Sequence, residues 1–211
     1  MRSSYIQNNF GELLTQYIIA WQPSSYVELG VLDGYSTLAI AKALKEVHLL
    51  RGDNRKLEAY DLFEDYPYKH GNKAEVEKLL SDNEVFEYVD LKHGNAYEVY
   101  KNYPDMVMDQ VRGIEFLHID ISNTGKVIHD LMELWHPKIG QRGLVFIEGG
   151  SEERDNIDWM RTYNMPSIKK EIESNKLINE NYIYGTYYDY PSMTVLLRHW
   201  NPKQKRTYDS L

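Results

Sequence analysis

Val27-Glu28-Leu29-Gly30-Val31-Leu32-Asp33-Gly34-Tyr35-Ser36-Thr37 is the stretch that decides the fold. An apolar run ends in an acid, turns through two glycines and enters a segment with helical spacing. Residues 26–30 predict a strand, and residues 36–45 a helix with Leu38, Ala39, Ala41 and Leu44 inward. Gly30 permits a sharp bend and leaves bare backbone for a ligand to approach. Gly34 permits close packing where the helix begins, and Ser36 or Thr37 can cap it. A strand, a glycine turn and a helix open a parallel α/β unit, whose ligands sit beyond the carboxyl ends of its strands.

The pattern continues on both sides. Upstream, Leu13, Leu14, Tyr17, Ile18 and Trp21 follow helical spacing, and Pro23 closes that helix. Downstream, a charged loop at 51–56 precedes a second strand at 57–60 that closes in Asp61. Residues 73–80 read as a helix, 85–91 as a third strand, and 96–103 as a short helix. The run at 113–121, carrying Ile114, Phe116, Leu117 and Ile119, is a fourth strand ending in Asp120. Residues 124–135 form a helix stopped by Pro137 and a turn at 140–143. Leu144-Val145-Phe146-Ile147 is wholly apolar, as befits a central parallel strand covered on both faces. A helix at 168–177 and two β-rich runs, 183–188 and 193–197, complete the chain, with a turn at 189–192 between them. This order predicts one α/β domain over 1–200, with an N-terminal helix inside 1–22, a parallel sheet with an antiparallel C-terminal edge, and a tail at 201–211.

Composition narrows the function. The 211 residues include 42% hydrophobic and 27% charged side chains, ordinary for a globular protein, and a net charge of −8 argues against a dedicated nucleic-acid binder. Absence of cysteine rules out disulfides and thiolate metal sites. A polar N-terminus without an apolar signal core points to the cytoplasm, and no apolar run approaches the ~18 residues that would span a membrane. Trp159 and Tyr163 are candidates for a homodimer face. The 18 tyrosines suit either half-buried packing or an aromatic-lined acceptor pocket.

The glycine turn is not the Gly-x-Gly-x-x-Gly pattern of dinucleotide binders, because Leu32 and Tyr35 occupy glycine positions. An acid such as Glu28 suits a cationic, phosphate-free nucleoside better than a pyrophosphate. S-adenosylmethionine (SAM) is such a ligand. Asp61 is placed to accept the ribose hydroxyls, and Asn95 to meet an adenine edge.

The segment 26–44, the stretch Tyr60-Asp61-Leu62-Phe63-Glu64 and the strand Phe116-Leu117-His118-Ile119-Asp120-Ile121 together resemble class I SAM-dependent methyltransferases. The nearest flavour is the macrocin O-methyltransferase (TylF-like) group of sugar O-methyltransferases. The resemblance covers roughly residues 10 to 150. It implies a Rossmann-like, seven-stranded, mostly parallel sheet with helices on both faces, SAM held around Glu28, Gly30 and Asp61, and a sugar or glycan precursor as acceptor. The sequence departs from that group in its acids: Ser122 stands where a further acid is usual, and Glu148-Gly149 where paired aspartates are usual.

Asp120 and Glu148 end neighbouring strands, so both open on the edge that carries the glycine turn. Two chemistries stand open. The pair can hold Mg²⁺, which would lower the pKa of an acceptor hydroxyl. Alternatively Asp120 or His118 acts directly as base. Arg154, in the run Glu152-Glu153-Arg154-Asp155, is a candidate grip on a substrate carboxylate or phosphate, approached across Gly149-Gly150. The loop 65–71 offers Tyr66, Tyr68, Lys69 and His70 as a lid, with Tyr66 and Lys69 binding substrate. Competing readings are a catalytically inactive SAM-fold binding or regulatory protein, suggested by the missing acids, and a nicotinamide or nucleotide-sugar enzyme on a similar sheet.

Overall fold

In the computed structural model, which describes residues 9–52, 54–106, 113–188 and 192–199, the chain opens with α1 (Phe10–Trp21) and then alternates. The order is β1 (Tyr26–Leu29), α2 (Tyr35–Arg51), β2 (Leu57–Asp61), α3 (Lys73–Asp82), β3 (Val89–His93), β4 (Ile114–Ile119), α4 (Gly125–Trp135) and β5 (Ile139–Glu148). Short helices α5 (Glu152–Asp155), α6 (Asp158–Thr162), α7 (Ile168–Ser174) and α8 (Lys176–Asn181) precede the hairpin strands β6 (Tyr182–Tyr187) and β7 (Met193–Arg198).

The strands form one seven-stranded sheet in the order β3-β2-β1-β4-β5-β7-β6. Strands β1 to β5 pair in parallel, while β7 is antiparallel to both β5 and β6. The order reverses at β1, with β2 on one side and β4 on the other. Such a reversal parts the loops at the strands' carboxyl ends and opens a crevice there.

Two cores cover the two faces. Tyr26, Phe116 and Phe146 pack with Phe10, Leu14, Ile18, Ile40 and Leu44 on one side. Val27, Leu29, Leu117, Ile119, Val145 and Ile147 pack with Ile128, Leu131, Trp135, Ile168 and Ile178 on the other. Successive strand residues face opposite ways. Glu28 and His118 therefore fall on the face of Tyr26 and Phe116, beneath α1 and α2.

Several boundaries differ from expectation. Helix α2 runs on to Arg51, and its buried stripe is Ile40, Ala41, Ala43, Leu44 and Val47, leaving Leu38 and Ala39 half-buried. The third strand starts at Val89, because Phe86–Tyr88 forms a single 3-10 turn before it; the short helix expected at 96–103 is likewise a 3-10 turn, Val99–Asn102. The turn expected at 140–143 lies inside β5. There Gly113, Gly140 and Gly143 let two strands meet backbone to backbone, and a Cβ on Gly113 would sit 2.6 Å from the Gly140 nitrogen. The register with β4 shifts between Ile114 and Phe116 accordingly. The helix expected at 168–177 is broken at Asn175, whose side chain accepts from the Ile178 N–H and starts α8. Residues 189–191 of the expected hairpin turn and the tail at 201–211 lie outside the described residues. No described helix is long and apolar enough to cross a membrane.

Candidate active site

Asp61 organises the crevice. Its Oδ2 accepts the N–H groups of Val31 (2.6 Å) and Leu32 (3.0 Å), and its Oδ1 accepts that of Phe63 (2.7 Å). Leu32 (φ 49°) and Phe63 (φ 47°) are left-handed, a conformation that costs a non-glycine residue about 1–2 kcal/mol. One carboxylate thus holds two strained residues on either side of the crevice. An ionised carboxylate has about four acceptor positions, so the half-buried Asp61 keeps capacity for a ligand hydroxyl at the tip of β2.

The glycines act differently from expectation. Gly30 is at φ +94°, and a Cβ on it would lie 2.0 Å from the Asp120 carbonyl oxygen. The side on which a Cβ would stand is filled by the end of β4. Gly34 does give close packing, since a Cβ there would meet Val76 at 2.8 Å. Gly34 is also the residue at which α2 begins, without a side-chain cap, so Ser36 is buried in the first turn and caps nothing.

Glu28 is sealed. It is 0% exposed, as is His118. Thr37 Oγ1 donates to Glu28 Oε2 at 2.6 Å, and His118 Nδ1 lies 3.1 Å from Oε1. The alternation of β1 and β4 turns both side chains under α2. That corrects two assignments: Glu28 does not face a cationic ligand, and His118 is not placed as a base toward an acceptor. Together with Thr37, expected only as a helix cap, they bind β1 and β4 to the helix behind them.

Asp120 and Glu148 do come together. The pairing of Ile119 with Ile147 sets them level on adjacent strands. Asn123, unremarked in the sequence, ties these ends by donating its Nδ2 to the carbonyls of Ile119 (3.1 Å) and Glu148 (2.8 Å). Glu148, however, is not available to a metal. Arg154 Nε donates to its Oε1 at 2.6 Å and Nη2 to its Oε2 at 2.8 Å, with both residues buried. The guanidinium lies 5.5 Å from the centre of the Trp159 ring, so that tryptophan serves an internal contact. Burial pulls the Arg154 pKa down, but Glu148, Asp120 and Asp155 outweigh it and leave the pKa raised. Both expected roles are corrected: Arg154 grips its own chain's carboxylate, and the Mg²⁺ reading does not fit a Glu148 already paired in both oxygens. No cluster of three metal-ligating side chains occurs among the described residues. The bare faces of Gly149 and Gly150 are taken by Ile168 (2.6 Å from a built Cβ) and Thr194 (2.1 Å).

Around this edge, Tyr66 Oη lies 2.8 Å from Ser122 Oγ, joining the tyrosine loop to the end of β4. A Cβ on Gly71 would lie 1.7 Å from the Leu32 carbonyl oxygen, so the same loop seats directly on the glycine turn. Lys69 is exposed. Asn95 is exposed and spends its Oδ1 on the Tyr97 N–H at 3.0 Å, starting the turn after β3. An open hollow of about 630 Å³, lined by Ser151, Glu152, Glu153, Asn156, Lys169 and Tyr188, lies beside the Glu148–Arg154 pair.

Comparison with known proteins agrees with this geometry. A family model described as a methyltransferase domain matches residues 27–148, from β1 to the end of β5. The O-methyltransferase TomG of Streptomyces achromogenes, solved in complex with SAM, superposes with a TM-score of 0.64 at 15% identity, covering 91% of this chain and 80% of that one. An O-methyltransferase of Bacillus cereus, solved with SAH, gives 0.66 at 14% identity, with 90% and 80% covered. A putative caffeoyl-CoA O-methyltransferase of Staphylococcus aureus gives 0.62 at 16%, with 90% and 83% covered. No curated protein matches the chain by sequence. With the family's domain spanning more than half of its length, on a sheet of the SAM-dependent methyltransferase fold, the chain belongs to the methyltransferase-domain family and is an enzyme of that class.

Proposed function

We propose that the chain transfers a methyl group from SAM to a hydroxyl of a small polar acceptor, with a sugar or glycan precursor as the acceptor class. The observation that carries this reading is the placement of Asp61 at the tip of β2, against the glycine turn that follows β1 and on the same sheet edge as Asp120. Asp61 and the turn 30–34 would hold the nucleoside. When bound, SAM supplies an electrophilic methyl group on a sulfonium. The chain's own work is to exclude water, align the acceptor and take a proton. Asp120, half-exposed at the end of β4, is the group placed to take that proton. The polar hollow along α5, with carboxylates, Asn156, Lys169 and Tyr188, suits an acceptor carrying several hydroxyls.

S-adenosylhomocysteine at saturating concentration is expected to raise the melting temperature, and methyl-labelled SAM to label a member of a nucleotide-sugar pool. Absence of any thermal shift would remove the reading. A shift without transfer to any small acceptor would favour the inactive binding protein.

A further inference from the structure

The pair at Glu148 resolves what the departure of its acids from the sugar-methyltransferase pattern leaves open. Two carboxylates level on adjacent strand ends repel one another and need a positive charge between them. This chain supplies that charge from a side chain six residues on, Arg154. After Glu148 the chain reverses through Gly149 (φ 120°) and Gly150 (φ 109°), and Ser151 caps α5 by accepting the Arg154 N–H at 3.1 Å. That geometry returns the guanidinium to the strand end it just left. Nε and Nη2 engage Glu148 as a fork. Nη1 is buried and has no hydrogen-bond partner among the described residues, although the side chain is nine-tenths buried. Covered in this way and packed over the Trp159 ring, the guanidinium acts on its surroundings through its charge.

Resting on the methyl-transfer reading, we propose that Arg154 is the fixed cation of the acceptor site. Its guanidinium takes the position beside Asp120 and Glu148 where a divalent ion would otherwise bind. An arginine at this position never gives up its proton; it lowers the pKa of the acceptor hydroxyl by charge alone. The hydroxyl proton passes to Asp120 as the acceptor oxygen bonds to the methyl carbon, and the electron pair of the broken carbon–sulfur bond stays on sulfur as a neutral thioether. Glu148 is then a positioning residue, holding the guanidinium at the strand end beside Asp120. The enzyme needs no metal.

The test removes the guanidinium and asks whether a metal ion takes its place. Mn²⁺ binding is followed by water-proton relaxation and by thermal shift on the wild type, R154Q and R154K, with circular dichroism reporting the fold. Folded R154Q leaves Asp120 and Glu148 without their cation and is expected to acquire one Mn²⁺. At ten times its Kd the ion should raise the melting temperature by about 3–6 °C. Wild type and R154K are expected to show no shift, and EDTA to leave wild-type methyl transfer unchanged. Folded R154Q that takes up no Mn²⁺ overturns the proposal. So does a wild-type protein that binds one Mn²⁺ stoichiometrically, and that arm stands whatever R154Q does. S-adenosylhomocysteine is run in parallel on the wild type: its failure to bind would end the methyl-transfer reading, while the Mn²⁺ arms still report on the cation position.

Discussion

At the scale of single residues, the site rests on backbone held in unusual shapes by a few polar side chains. Asp61→Ala strips the acceptor from three N–H groups and releases Leu32 and Phe63 from left-handed geometry. We expect a loss of about 1–3 kcal/mol in urea denaturation, together with loss of the thermal shift from S-adenosylhomocysteine. Two glycines separate crowding from backbone strain. Gly30 and Gly52 both have positive φ, but a Cβ on Gly30 meets the Asp120 carbonyl at 2.0 Å while one on Gly52 meets nothing within 4 Å. Gly52→Ala should cost only about 1 kcal/mol. Gly30→Ala adds a backbone clash and should cost at least about 3 kcal/mol; equal costs in paired denaturation curves would contradict this account of the turn. What was readable at this scale was position. Asp61, Asp120 and Glu148 were recognisable as strand-end acids from their place after apolar runs. The pairing of Glu28 with His118 was not, because the two stand 90 positions apart and nothing in either segment alone marks the other. Arg154 was within reach of reasoning: a diglycine that reverses the chain, followed by a capped turn, points the next basic residue back at Glu148.

Between elements, polar ties join places that the core leaves apart. His136, just past α4, has its Nδ1 2.9 Å from the Tyr182 hydroxyl on β6, and its carbonyl accepts from Arg198 of β7 at 2.9 Å. Burial, with help from the Arg198 charge, pushes the His136 pKa down from 6.5 to about 4. In the unfolded chain His136 binds a proton near 6.5, and in the folded one only near 4. Between these values the unfolded state holds more protons, so stability rises with pH across that window and is lost as pH falls through it. Melting temperatures taken from pH 7 to pH 4 should therefore fall less steeply for His136→Gln than for the wild type. Identical slopes would show that His136 does not contribute. Strands and long helices were legible because their periodicity follows from facing a core. The glycine-rich start of β5 was not, since its bare backbone reads as a turn until β4 lies against it. Helices α5 and α6 were hidden for a related reason: four or five residues rich in charge show no apolar period.

Over the whole molecule, stability and function are divided along the sheet. The central strands β1, β4 and β5 are covered on both faces, whereas β3 and β6 are edges. Amide exchange should be slowest in the three central strands and fastest in α5, α6 and the two edges, following local opening. Uniform exchange across the sheet would contradict it. The family's matched region stops at Glu148, just before the diglycine. Arg154 and the polar hollow lie beyond that matched region. Fold class was visible from the order of elements alone. The Glu148–Arg154 region was not, because its side chains are brought together by reversals rather than by periodic packing.

Gly71 carries one more implication. With no side chain between them, the tyrosine loop rests its main chain on that of Leu32, while Tyr66 reaches Ser122 on the far bank. The two banks are thereby geared to one another. On the methyl-transfer proposal, a molecule settling into the turn would also set the aromatic rim, so that doorway and berth would share a single latch.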